Sequence, residues 1–129
     1  MGPRDVFERF RQNVLDGEVG LTPDLCAEDV VVEMPFAAEG FRRVEGRETF
    51  AAFARQGREA LAVRFEEFRD VAVHETGDPD TIVAEYELTG VAGEHRASAS
   101  FVLVLTTRDG KVVRWREYQD TAAIARALA

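Results

Sequence analysis

The chain has 129 residues, the size of one domain, and 46% of them are apolar, with nine Phe among them, so it can bury a substantial core. Net charge is −8, from 16 basic and 24 acidic residues, and no basic tract carries interleaved aromatics, which argues against nucleic acid and anionic membrane surfaces as partners. Apolar runs fall far short of a membrane span, MGPRDVFERF has no apolar signal core, Val6 breaks the Gly2 myristoylation pattern, and the single Cys26 excludes an internal disulfide, so a soluble cytoplasmic protein is expected.

The first element reads as a helix. Val6, Phe7, Phe10, Val14 and Leu15 share one face, with Pro3 near its start and Gly17 near its end. LTPDLCAEDV gives a short turn or helix that Pro23 is positioned to start. VVVEMPF, Val30 to Phe36, reads as a strand ended by Pro35, and AAEGFRRVEG as a loop. RETFAAFARQGREAL, Arg47 to Leu61, is a second helix with Phe50, Phe53, Ala54 and Leu61 inward. Gly57 weakens that helix by about 1 kcal/mol relative to Ala, which a close helix–sheet contact would explain.

The second half reads as strands. VRFEEFRDVAVHE alternates over Phe68 to Val73, and GDPD separates it from TIVAEYELTG. VAGE turns the chain into HRASASFVLVLTT, and RDG forms a hairpin turn into KVVRWREYQ. Asp120 is placed to cap a final helix over 121–128. The order is helix, strand, helix, then four strands joined by short turns. It implies an α+β fold: a strongly curved, mostly antiparallel sheet with helices on its concave face.

This order, with VEMPF, EGRETFAAF and DGKVVRWREYQD, resembles the SnoaL-like (polyketide cyclase-type) group of the nuclear transport factor 2-like superfamily. The resemblance spans nearly the whole chain and implies a single domain over 1–129, a cone-shaped barrel enclosing a pocket. Its members include polyketide cyclases, ketosteroid isomerase relatives and limonene-type epoxide hydrolases. A fold that hosts unrelated activities leaves function to be argued from the site.

Alternation sorts WREYQ into two faces: Trp115, Glu117 and Gln119 on one, Arg116 and Tyr118 on the other. Val113 joins the Trp115 face, whose apolar beginning marks it as concave, so Glu117 is expected in or at the mouth of the pocket. The resemblance agrees, because epoxide-hydrolase relatives carry an inward acid here. Glu33 is the odd polar residue in VVVEMPF and is expected to line the cavity. In TIVAEYELTG, periodicity alone would bury Ile82, Ala84, Tyr86 and Leu88 and solvate Glu85 and Glu87. The resemblance implies the reverse, with Glu85 and Glu87 inward and the Ile82 face covered by a dimer partner.

Four clustered carboxylates in an apolar cavity would raise one another's pKa values and leave a proton donor beside a base. That suits general acid–base chemistry of the isomerase, cyclase or dehydratase type on a hydrophobic oxygenated molecule, such as a polyketide-like compound. Glu117 would lead, with Glu33, Glu85 and Glu87 as partners. Trp115, Phe101, Phe36, Phe53 and Gln119 are the candidate substrate contacts. Two alternatives stand beside this enzyme: a non-catalytic ligand-binding or dimerisation module, and an epoxide hydrolase.

The hydrolase arrangement needs an Arg between two acids, and the chain has Glu85 there; Arg64 or Arg96 would have to turn inward. The isomerase pattern needs a Tyr on the first helix, which has none. No metal or cofactor is implied, because two distant histidines and no Gly-rich phosphate loop supply no site. Cys26 reads as a buried apolar residue, His74 as exposed, His95 as a surface residue within reach of the pocket mouth, and Arg42 and Arg43 as solvated. SFVLVL is uncharged on both faces, which suggests helices inside and a partner outside: a homodimer through the convex face.

Overall fold

Alternation along the strands governs the architecture. The computed structural model describes residues 1–38 and 42–128. Helix α1 spans Pro3–Leu15 and buries Val6, Phe7, Phe10 and Val14. A 3-10 turn at Pro23–Leu25 leads into β1, Cys26–Glu33. After it come β2 (Arg43–Glu45), α2 (Arg47–Ala60), β3 (Arg64–Glu75), β4 (Thr81–Ala92), β5 (His95–Arg108), β6 (Lys111–Gln119) and α3 (Thr121–Ala127). The strands form one sheet in the order β2-β1-β6-β5-β4-β3. All neighbours are antiparallel except β1 and β6, which run parallel.

The expected α+β order is present, with corrections at three places. The first strand begins at Cys26, because Cys26 pairs with Val112, and stops before Met34. Pro35 then sits in a turn closed by Ala37 N–H to Met34 O. The expected loop at 37–46 contains the short β2 and falls partly outside the described residues, at 39–41. Gly57 makes no close contact: a Cβ there would meet nothing within 4 Å, so the tight helix–sheet contact is not its reason.

One face of the sheet carries the core. Val30, Val32, Phe68, Ile82, Ala84, Tyr86, Leu103, Leu105, Val112 and Trp115 are buried on it. Helix α1 lies across this face, with the Phe10 ring 4.7 Å from Trp115 and 5.7 Å from Phe68. Aromatic side chains bury large apolar areas and favour such tilted and edge contacts, so this cluster ties α1 to three strands. The chain approaches closely at Gly20, where a Cβ would stand 2.5 Å from the Phe10 ring. Among the described residues no helix is long and apolar enough to cross a membrane.

The β5–β6 hairpin sets the register that builds the site. Its turn uses Asp109 at φ 53 and Gly110 at φ 80, the left-handed pair that suits the twist of a tight hairpin. Pairing steps from Thr107↔Val112 to Thr106↔Arg114, so Val113 is the extra residue of a bulge. Val113 therefore does not share the Trp115 face as alternation implied. Val112 is buried with Trp115 instead, and alternation resumes through Glu117 and Gln119.

Candidate active site

The register Tyr86↔Phe101↔Gln119, with Leu103↔Glu117 beside it, brings side chains from β4, β5 and β6 together on the helix-covered face. A cavity of about 380 Å³ opens there. Its inner end is formed by Phe10, Tyr86, Phe101, Glu117 and Gln119. Leu61, Val63 and Phe65 form a wall where α2 passes into β3, and Ile124 and Ala127 come from α3, with Leu128 just after it. Asp120 holds α3 in place: its carboxylate accepts from Ala123 N at 3.1 Å, and its own N–H donates to Ser100 O at 3.0 Å.

Glu117 is the acidic side chain of this cavity among the described residues. Tyr86 Oη donates to Glu117 Oε1 at 2.7 Å, and Gln119 Nε2 donates to Glu117 Oε2 at 2.7 Å. Both carboxyl oxygens thus act as acceptors. Gln119 Nε2 also reaches Met34 Sδ at 3.8 Å, a weak contact. Tyr86 is buried, and its ring is stacked between Phe68 (4.8 Å) and Phe101 (5.1 Å). Burial pushes the Tyr86 hydroxyl well above its ordinary pKa, helped by the adjacent Glu117 charge and by the hydrogen bond it donates.

Three of the four expected carboxylates lie elsewhere. Glu33 follows the buried Val32, so alternation turns it to the outer face, where it meets Arg43 and Arg114 at 3.4 Å each. Glu85 and Glu87 flank the buried Tyr86 and also point outward. His74 Nε2 is 2.7 Å from Glu85, and Arg69 is 3.4 Å from Glu87. The periodicity of TIVAEYELTG therefore governs β4, and the inward placement drawn from the resemblance is corrected. Ile82 and Tyr86 are interior residues, covered by α1 and the neighbouring strands rather than by a partner on the convex face. The multi-carboxylate cluster is not assembled.

The substrate-contact residues divide as well. Phe101 and Gln119 line the cavity. Trp115 does not, because it is buried beneath Phe10. Phe36 leaves the sheet with the Met34–Ala37 turn and packs on Tyr118 of the outer face at 5.4 Å, 64% exposed. Phe53 is half-buried on α2 beside Phe50 and is not part of the cavity wall.

Arg42 and Arg43, expected to be solvated, are exposed, and Arg43 pairs with Glu33 and Glu45. Arg96 binds Glu66 and Glu67 at 2.7 Å each, and Arg64 binds Glu66, so neither turns inward. Among the described residues no Lys or Arg lines the cavity. His95 is exposed and stands at the cavity wall, and His74 is exposed on its strand. Cys26 is buried, and desolvation raises its pKa to about 11. Among the described residues no group of three His, Cys, Asp or Glu could hold a metal ion.

Tyr86 is the site residue that the sequence reading missed. Two signals pointed to it: the strict alternation of β4, and the hairpin register that carries Phe101 beside Gln119. The walls from α3 and from Leu61–Phe65 carry no chemical signature and were not anticipated.

Residues 6–115 match the family described as SnoaL-like domain. A PhzA/B-like protein of Pseudomonas aeruginosa is 39% identical over 131 residues, covering 99% of this chain and 91% of its own. The crystal structure of a proposed isomerase from Bacillus subtilis superposes with a TM-score of 0.85 at 25% identity, over 98% of this chain and 91% of that one. A proposed polyketide cyclase from Xanthomonas campestris gives 0.78 at 19% identity, over 98% and 96%, a likeness of fold.

The raised Tyr86 pKa has a defined sign. Ionisation of a phenol whose folded pKa lies above the usual value of about 10 opposes folding, so its contribution is present below about pH 10 and lost as pH rises further. The chain has two tyrosines, so a Tyr118→Phe variant isolates Tyr86. Its ultraviolet phenolate absorbance is expected only together with alkaline unfolding seen by circular dichroism. Reversible phenolate formation at about pH 10 in the folded protein would contradict the buried Tyr86–Glu117 bond.

Proposed function

This chain belongs to the SnoaL-like family of the nuclear transport factor 2-like superfamily, and from that premise we propose that it is a cofactor-free enzyme of the isomerase, cyclase or dehydratase type. Its substrate is a hydrophobic oxygenated molecule, such as a polyketide-like compound. One observation carries the reading: among the described residues one carboxylate, held by two neutral donors, stands at the inner end of an apolar cavity. The cavity's size falls in the usual range for small-molecule sites, about 300–1,000 Å³.

In this reading Glu117 is the general base and then the general acid. It takes a proton from a carbon beside a substrate carbonyl, and the electrons of that C–H bond move onto the carbonyl oxygen. Protonated Glu117 returns the proton at another carbon, or to a leaving hydroxyl. Tyr86 and Gln119 fix the carboxylate's position, and the apolar walls keep water from competing. The surface carboxylates Glu33, Glu85 and Glu87 have no part in this chemistry. The epoxide-hydrolase reading has less support, because no Arg joins Glu117 in the cavity among the described residues. The same pocket also serves a non-catalytic binding module, and the experiment below separates the two.

The test follows deuterium exchange from solvent into a panel of apolar aryl and cyclic ketones by NMR. The wild type is expected to accelerate exchange at the carbon next to the carbonyl for at least one of them. Glu117→Gln should lower that acceleration by about 10²–10⁴-fold. Glu33→Gln and Glu85→Gln should leave it within about threefold, because surface substitutions away from a site change little. Saturable ligand binding with no exchange would favour the binding module. Exchange unaffected by Glu117→Gln would overturn the assignment.

We also propose a homodimer through the outer face of the sheet. Val83, Val102 and Val104 form its half-buried centre. Arg114 and Arg116 lie to one side on β6, and Glu85 and Glu87 on β4. A two-fold axis through the centre would set the arginines of one copy against the glutamates of the other. Sedimentation at micromolar concentration should give twice the monomer mass, falling to a monomer in Val104→Glu. A wild-type monomer would refute it.

A further inference from the structure

The stacked rings and the unused acceptor positions together narrow the ligand. Phe68, Tyr86 and Phe101 stand on adjacent strands β3, β4 and β5, with interplanar angles of 9° and 10° and centroid spacings of 4.8 and 5.1 Å. Those spacings match the separation of neighbouring strands, about 4.8 Å. The next position in this ladder, on β6, is held by Gln119 rather than by a ring. The amide of Gln119 is drawn toward Glu117 Oε2 and Met34 Sδ. Tyr86 covers one face of Phe101, and the half-buried ring, packed against the core, also lines the cavity.

The polar inventory is lopsided. A carboxylate offers about four acceptor sites. Tyr86 and Gln119 occupy one on each oxygen, so acceptor capacity remains on Glu117. The two donors are already engaged with Glu117. Among the described residues, the one other titratable side chain of the wall is His95, which is exposed. The inner end therefore lacks a cation to receive an anion, and its charge is negative.

We infer that the cavity selects a planar, uncharged aromatic ligand that stacks on Phe101 as the fourth ring of the ladder and donates an O–H or N–H to Glu117. This deepens the reading of the cavity as a small-molecule site and rests on it. The ligand class is phenolic, enolic or an N–H heterocycle. A carboxylate of the same shape is excluded by like charge and by burial without a partner.

The test is equilibrium binding of three probes of one shape, 2-naphthol, 2-methoxynaphthalene and 2-naphthoate, followed by NMR line shifts of the folded protein. 2-Naphthol should bind about tenfold more tightly than 2-methoxynaphthalene, the worth of one hydrogen bond to a charged acceptor. 2-Naphthoate should bind the wild type more weakly than either. It should recover by about tenfold in Glu117→Gln, where the repelling charge is gone. Phe101→Leu should weaken 2-naphthol about fivefold, and Phe101→Tyr should restore it. Phe36→Leu, on the outer face, should not change it. The inference is overturned if 2-naphthoate binds the wild type as well as 2-naphthol does, if methylating the hydroxyl costs nothing, or if folded Phe101→Leu binds unchanged. These readouts do not involve proton transfer. The selectivity therefore stands even if ketone exchange is absent, and it falls alone if exchange occurs without it.

Discussion

The hydrogen bond from Tyr86 to Glu117 is the constraint around which the rest is arranged. A phenol stacked inside the core must find an acceptor for its hydroxyl, because an unsatisfied buried donor costs about 1–3 kcal/mol. A carboxylate near an apolar cavity must in turn find donors. Each group satisfies the other across β5, and Gln119 completes the second oxygen. The pair thus solves a folding problem, and it leaves one carboxylate aimed at open space with acceptor capacity to spare. That combination makes the cavity a chemical site rather than a packing defect.

The bond depends on the two-faced sheet beneath it. Every inner position of β4 and β5 near the bond is aromatic, aliphatic or small, whereas the outer face carries ion pairs such as Arg69–Glu87 and the His74–Glu85 contact. Exposed pairs of this kind contribute little stability each. Strand alternation, not these pairs, keeps Glu33, Glu85 and Glu87 on the far side of the sheet, so that among the described residues Glu117 has no neighbouring acid in the cavity. Helix α1 closes the other side through Phe7 and Phe10, both in contact with the Tyr86 ring. The position of the phenol is therefore set by α1 and by three strands together.

Much of this was legible in the residues. Helical spacing placed α1 and α2, and the RDG turn and Asp120 cap were read correctly, because each feature depends on local backbone chemistry. The inward position of Glu117 was reached through an incomplete premise. Val113 was counted on the Trp115 face, but it is the extra residue of a bulge, which alternation cannot reveal. β4 went the other way. Its alternation is unambiguous and places Glu85 and Glu87 outward, whereas the resemblance to hydrolase relatives implies the reverse. Tyr86 was lost with that inversion. Phe36 and Trp115 show a further limit. Whether an aromatic lines a cavity, fills the core or caps the outer face depends on long-range packing that composition does not encode.

A double-mutant cycle on Tyr86→Phe and Glu117→Gln, measured by denaturant unfolding at neutral pH, tests the central claim most directly. The account predicts a favourable coupling between the two side chains of at least about 1 kcal/mol, because each single change strands the other group in the core. Losses that add with no coupling would mean that Tyr86 and Glu117 do not share a bond in solution, and the site built on that bond would fall with it.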